Sequence, residues 1–197
     1  MTTVLTGSDV TRAVTRIAHQ IAEAAPPPDA AEGGEPVLVG IHTRGVPLAR
    51  RVGVEYRRIT GRDVAVGALD ITLYRDDLRR SATRTPGRTD VPVPVEDRVV
   101  VLVDDVLFSG RTVRAALDAV RDLGRPAAVR LAVLVDRGHR RLPVRADHVG
   151  RNQPTSLGQH VRVRLAEIDG SDGVEVLEPA QTRSAEMSDQ PARGAVS

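Results

Sequence analysis

Residues 99–123, VVVLVDDVLFSGRTVRAALDAVRDL, restrict the fold of this chain more than any other stretch. Val99–Val103 is an unbroken apolar and largely β-branched run, the pattern of a strand covered on both faces. Two carboxylates follow, Asp104 and Asp105, and then a turn, Phe108-Ser109-Gly110-Arg111-Thr112. Val113, Ala116, Leu117 and Val120 recur at helical spacing. A glycine turn that opens a helix aims several backbone N–H groups and a helix N-terminus at one phosphate. Carboxylates just upstream suit ribose hydroxyls or a hydrated Mg²⁺, which prefers oxygen ligands. The segment reads as a holder for a ribose 5-phosphate. An Asp-Asp pair behind a strand can also be an ordinary solvated turn, an alternative that the full 13-residue string 100–112 disfavours.

The frame around it is that of an α/β protein. The apolar fraction, 41%, is supplied by Val, Leu, Ala and Ile, with only Tyr56, Tyr74 and Phe108 aromatic. At 197 residues one domain is expected over 1–178, with the polar stretch 179–197 a disordered tail. Cysteine is absent, which excludes disulfide scaffolds and cysteine zinc sites. No apolar run approaches membrane-spanning length and no signal-peptide core opens the chain, so a cytoplasmic location is expected. Gly-x-x-x-x-Gly-Lys and Gly-x-Gly-x-x-Gly are both missing, and there is no lysine at all. Every basic residue is therefore arginine, either because bidentate anion contacts demand it or through compositional bias. A net charge of +2 argues nothing about nucleic acid, which must be judged from where the arginines cluster.

Thr6 and Asp9 have the spacing of a capping box before Val10, Val14, Ile17, Ala18 and Ile21, an amphipathic helix that Pro26-Pro27-Pro28 stops. Val37–Ile41 is a buried strand that leads into His42-Thr43-Arg44-Gly45, and Val46 to about Ile59 is helical. Val64–Leu73 reads as a strand with Gly67 as a bulge. The charged, proline-studded stretch Tyr74–Asp97 is a long loop, functional or disordered. Ala127–Val135 is another buried strand, followed by Asp136-Arg137-Gly138-His139-Arg140, and short strands are expected at Val161–Leu165 and Gly173–Leu177. Alternating strands and helices imply parallel βαβ units, whose ligands bind at the carboxyl ends of the strands. The loops at 42–45, 104–112 and 136–140 all sit at such ends.

VVLVDDVLFSGRT (100–112) resembles the PRPP-binding signature of the type I phosphoribosyltransferases. With LVGIHTRGVPLARR, DITLYRDDL, VRDLGRP and LAVLVDRGHRRLPVRADHVGRNQPTS, the chain is similar over about Val10–Val176 to the pyrimidine operon attenuator family, uracil phosphoribosyltransferases that also bind mRNA. The resemblance implies a type I phosphoribosyltransferase fold, an α/β domain with a mostly parallel central sheet flanked by helices and a small hood. It implies uracil plus PRPP giving UMP and pyrophosphate, with Mg²⁺ as cofactor. The catalytic set it implies is Arg44, Arg75, Asp104 and Asp105. The acid pair would hold the ribose hydroxyls and Mg²⁺, directly or through water. Val106, Leu107, Phe108, Ser109, Gly110, Arg111 and Thr112 would cradle the 5′-phosphate, and Thr43-Arg44-Gly45 would clamp pyrophosphate in a loop that holds a non-proline cis peptide in some relatives. Arg75, Asp76 and Asp77 open a loop expected to close over PRPP; a solvated charge run is the plainer reading. Phe108, Arg137 and His139 would line the uracil pocket, although a histidine at a strand end is as often a structural hydrogen-bonder.

Relatives more often carry tyrosine where this chain has Phe108, and purine enzymes often place a third acid there. The same resemblance gives Thr15, Arg16 and His19 an RNA-facing role, with Arg12 one turn away and Arg145 and Arg151 nearby; Arg151 replaces a frequent lysine, as does His42. Read by pattern alone, this helix face is an ordinary solvated one. Aromatic residues are too few for base stacking, so a hairpin would be read by Arg, Thr and backbone. Two functions stay open: an enzyme making UMP, and an mRNA-binding sensor of UMP, UTP or PRPP with little turnover. A transferase for another base is a third. A homodimer or larger homo-oligomer is expected.

Overall fold

The computed structural model describes residues 1–25, 34–75 and 87–179. Asp76, Asp77, most of the expected closing loop and the expected tail beyond 179 lie outside these residues. The three apolar runs become adjacent inner strands: β2 (Val37–Ile41), β4 (Val99–Leu107) and β5 (Ala128–Asp136). With β3 (Ala65–Leu69) and β6 (His148–Asn152) they form a five-stranded sheet in the order β3-β2-β4-β5-β6, parallel throughout. Continuous apolar runs are what such a sheet demands, because helices cover both of its faces.

α1 (Gly7–Ala24) and α2 (Gly45–Thr60) cover one face, and α3 (Arg111–Leu123) the other. Thr6 caps α1 with the foreseen capping box: Asp9 N donates to Thr6 Oγ1, and Thr6 N donates to Asp9 Oδ2 at 2.9 Å. Ile17 and Ile21 of α1 are buried with Leu38 and Leu48 in one core. Each such side chain contributes about 1.5–3 kcal/mol by leaving water. α3 packs Val113, Ala116 and Val120 against the opposite face together with Val95. The hood is a second, antiparallel sheet, β1-β8-β7, made of β1 (Thr2–Leu5), β7 (His160–Arg164) and β8 (Gly173–Leu177), with the one-turn α4 (Ala166–Asp169) between its last two strands.

Three expectations need correction. The strand expected over Val64–Leu73 ends at Leu69 and gives way to a 3₁₀ turn, Thr72–Tyr74. Gly67 forms no bulge: it pairs in register with Val39, and a Cβ there would meet Asp90 O at 2.9 Å, where the chain returns to bridge Ala68. β4 does not stop at Val103 but runs through the acid pair to Leu107.

Candidate functional site

Parallel strands bring the loops after β2, β4 and β5 to one edge. Backbone hydrogen bonds tie two of them together. Arg137 N donates to Leu107 O at 3.1 Å, and the Arg141 and Leu142 amides donate to Ser109 O at 3.0 and 3.2 Å. The loop after β2 is pressed onto β4 at Gly45, where a Cβ would stand 2.3 Å from Val103 O. Its His42–Thr43 peptide bond is cis.

Because β4 continues past Val103, Asp104 and Asp105 are strand residues at the sheet's edge, and Asp104 is buried. Asp105 N donates to Asp104 Oδ1 at 2.9 Å and Val106 N to Asp105 Oδ1 at 2.8 Å, which fixes both carboxylates. Burial pushes the pKa of Asp104 well up, and the charge of Asp105 adds to that; Arg75 opposes it. Asp105 is also raised by burial, against the pull of Arg44. The two arginines expected at the leaving-group end are thus the counter-charges of the acid pair.

The turn after β4 opens a helix at the foreseen glycine. Gly110 is the N-cap of α3 in the left-handed region, φ 91°, and α3 begins at Arg111 with its first N–H groups lacking intrahelical partners. Thr43, Arg44 and Gly45 lead into α2, with Arg44 as its N-cap. Arg44 Nη2 donates to Asp169 Oδ1 of α4 at 2.8 Å, while its Nε is enclosed without a hydrogen-bond partner among the described residues.

The three residues expected at the base are brought together. The Arg137 guanidinium lies 4.1 Å from the Phe108 ring centroid, and His139 meets the same ring edge-on at 6.3 Å. Arg137 is buried, which lowers its pKa, and it donates from Nε to Thr155 Oγ1 (3.1 Å) and from Nη2 to Ser156 O (3.2 Å). His139, at φ 61°, has Nε2 2.5 Å from Thr155 O. Sequence reasoning missed Arg140. Its guanidinium donates to the Leu107, Phe108, Gly138 and Val144 carbonyls and pairs with Asp136, so it sews the two loops into one wall. Its only signal was a second arginine beside the expected pair.

On the sheet's far side, Thr11, Arg12, Thr15, Arg16 and His19 line an open groove of about 440 Å³. Arg16 Nη1 donates to Gly150 O at 2.9 Å, next to the exposed Arg151 on β6; α1 and β6 therefore present one face. Thr15 Oγ1 donates to Glu55 of α2 at 3.0 Å, and Arg12 pairs with Asp9. Hydrogen bonds from Arg58 foremost, and from Thr15, hold the Glu55 carboxyl below its ordinary range. Arg145 is exposed on the segment leading into β6.

A parallel sheet with an acid pair, a glycine turn at a helix N-terminus and a small hood defines a phosphoribosyltransferase. The chain belongs to the phosphoribosyl transferase domain family, which it matches over residues 2–167. Its sequence relatives narrow the class to proteins named bifunctional protein PyrR. That of Streptomyces coelicolor is 59% identical over 172 residues, 87% of this chain and 86% of that protein. That of Mycolicibacterium paratuberculosis is 55% identical over 171 residues, 86% and 90% of the two chains. Among solved structures, the hypoxanthine phosphoribosyltransferase of Trypanosoma cruzi with its product IMP shares the fold, with a TM-score of 0.66 at 18% identity over 95% of this chain and 96% of that one. The HGPRT-ase of Leishmania tarentolae with GMP is similar to the same degree, TM-score 0.66 at 19% identity over 89% and 95%.

Proposed function

We propose that this chain joins uracil to the ribose 5-phosphate of PRPP, releasing pyrophosphate, and that uridine nucleotides in the same pocket tune its grip on an mRNA leader hairpin. The observation that carries the enzyme reading is the acid pair Asp104–Asp105 at the carboxyl end of β4, Asp104 buried and Asp105 half-buried, with Arg44 and Arg75 as counter-charges and the phosphate turn beside it. Uracil N1, giving up its proton, forms the bond to C1′ as the C1′–O bond breaks, and pyrophosphate leaves with the electron pair. Positive charge spreads over the ribose ring and negative charge over the departing oxygens, so positioning and electrostatics carry the step. Asp104 and Asp105 take the ribose hydroxyls and face the developing ring charge. The amides of 106–112 and the hydroxyls of Ser109 and Thr112 hold the 5′-phosphate. Arg44, with Thr43 and Gly45, and Arg75 receive the pyrophosphate. Phe108 covers one side of the base, and Arg137 and His139 approach its polar edge.

The donor set fits Mg²⁺. Two carboxylates destabilised by burial gain from a cation, and among the described residues no cluster of three or more His, Cys, Asp or Glu side chains exists to enclose one. A magnesium ion held by one or two carboxylates with the remaining sites left to substrate oxygens matches that set. When bound it would neutralise charge on the pyrophosphate oxygens.

The RNA half is supported by Thr15, Arg16, His19 and Arg151 sharing the α1–β6 face, with Arg145 on its approach. A homodimer or larger assembly belongs to the same reading, supported by exposed Leu73 and Leu117 on elements joined by the Tyr74–Asp122 hydrogen bond. Among the described residues no helix is long and apolar enough to cross a membrane.

UMP formation from uracil and PRPP tests the enzyme. Asp105→Asn is expected to lower kcat/KM roughly 100-fold or more, as loss of a group aimed at transition-state charge does. No turnover with UMP binding intact would leave the sensor alone, and turnover of hypoxanthine or guanine would replace uracil. For the RNA half, Arg16→Ala and His19→Ala should abolish UMP-enhanced hairpin binding in a gel shift while turnover persists. Equal, salt-sensitive binding of any RNA would overturn it.

A further inference from the structure

We infer that Asp169, in the hood, is a positioning residue that presets Arg44 for the leaving pyrophosphate; this rests on the role given to Arg44 above. The two residues are 125 positions apart and meet through a partly buried ion pair, Arg44 Nη2 to Asp169 Oδ1 at 2.8 Å. The carboxylate is itself immobilised. Its Oδ2 accepts the Leu165 N–H at 2.8 Å, and the Asp169 N–H donates to Leu165 O at 2.7 Å. Asp169 is therefore fixed at both backbone and side chain before any ligand arrives.

The one-turn helix that carries it is anchored in turn to α2. Arg51 donates to Glu167 from Nε at 2.8 Å and from Nη2 at 2.5 Å. It also donates to both Asp172 oxygens at 2.8 Å. Arg44 and Arg51 are seven residues apart, two turns of one helix, and clasp a single hood segment, 167–172. Arg51 is the anchor of that clasp. Arg44 is different: among the described residues only its Nη2 is held and its enclosed Nε has no partner, while its charge acts on Asp105. Arg44 thus ties the loop after β2 to the hood, and its charge acts on the acid pair. An arginine already held by one nitrogen loses less freedom when it takes up an anion with the others, which is preorganisation.

The test uses the full chain. Asp169→Asn retains an oxygen for the Leu165 N–H but turns an amide N–H toward Arg44. Calorimetric Kd and steady-state KM for PRPP should rise about tenfold, the loss expected when preorganisation is removed. KM for uracil should hold within about twofold, since Asp169 touches none of the base-side residues. In an Arg44→Ala background the same substitution should cost nothing more, as two members of one unit behave. Asp169→Glu, which restores the charge, should recover part of the loss; it also carries the comparison if the asparagine variant fails to fold. Unchanged or tighter PRPP binding by Asp169→Asn, an additive loss in the double variant, or a glutamate variant no better than asparagine would overturn the assignment. Binding is read without turnover, so a wild type that binds PRPP but transfers nothing fails only the enzyme reading; one that binds no PRPP fails both.

Discussion

A β-carbon on Gly45 would stand 2.3 Å from the Val103 carbonyl oxygen, closer than any carbon and oxygen pack without a bond. A β-carbon on Gly40 would likewise stand 2.5 Å from Gly45 O. The two glycines let the start of α2 rest directly on β4, which sets the height of Arg44 above the acid pair. Gly45→Ala should therefore cost about 3 kcal/mol of stability, as overpacking of a backbone contact does. Gly7 makes the control. It too opens a helix, but a Cβ there would meet Asp172 at 3.5 Å (Cβ) and 3.7 Å (O), ordinary contacts. Gly7→Ala should stabilise by about 0.5 kcal/mol, through the entropy of the unfolded chain. Urea unfolding of both variants reads the contrast, and equal effects would refute it. In sequence the two glycines look alike, because what separates them is a strand more than fifty positions downstream.

Among the elements, the wall formed by the loops after β4 and β5 is tied by backbone hydrogen bonds and sewn by one guanidinium. Arg140 donates to four carbonyls and pairs with Asp136, and nothing else among the described contacts holds Phe108 O. Arg140→Met keeps the stem and takes the guanidinium from the Phe108, Gly138 and Val144 carbonyls, while Leu107 O keeps the Arg137 N–H; about 3 kcal/mol should be lost in denaturant unfolding, with UMP affinity falling alongside. Arg140→Lys should recover less than half, because an ammonium cannot reproduce the planar fork. Full recovery by lysine would mean that charge alone matters. The same distinction separates what could be read in advance from what could not. β2, β4 and β5 announce themselves because both faces are buried, so their composition is their environment. The acid pair and glycine turn are likewise local, since chemistry and geometry lie within a few residues. β1 and β6 gave no signal: β1 has four residues, mostly exposed, and β6 alternates His148 and Gly150 with half-buried or exposed neighbours at a sheet edge. Arg140, Arg51 and Asp169 stayed silent because each draws its role from partners up to 125 positions away.

At the scale of the whole molecule, stability should depend on pH through groups whose burial works in opposite senses. His148 is buried on β6 with Nε2 enclosed and without a partner among the described residues. Burial lowers its pKa from the ordinary 6.5, and Arg130 adds to this while Asp147 opposes it. The folded state keeps it neutral where the unfolded chain would protonate it, so its contribution to stability is present above pH 6.5 and is lost on acidification below that value. The acid pair acts the other way: Asp104 and Asp105 are raised by burial, so the fold gains as they protonate. The lowered carboxylates of Glu55, Glu167 and Asp172 add a loss at still lower pH, near their ordinary values of 4.5 and 3.8. A single stability curve mixes these terms, but a difference between two proteins does not. His148→Gln removes one term and leaves the acid pair in place, so the wild type should lose ground to the variant between pH 7.5 and 5.5, by no more than about 1.4 kcal/mol per pH unit for one proton. Urea unfolding of both proteins at the two pH values measures this. Parallel curves would mean that His148 titrates in the fold as it does in the open chain, and that its burial under α1 costs the protonated form nothing.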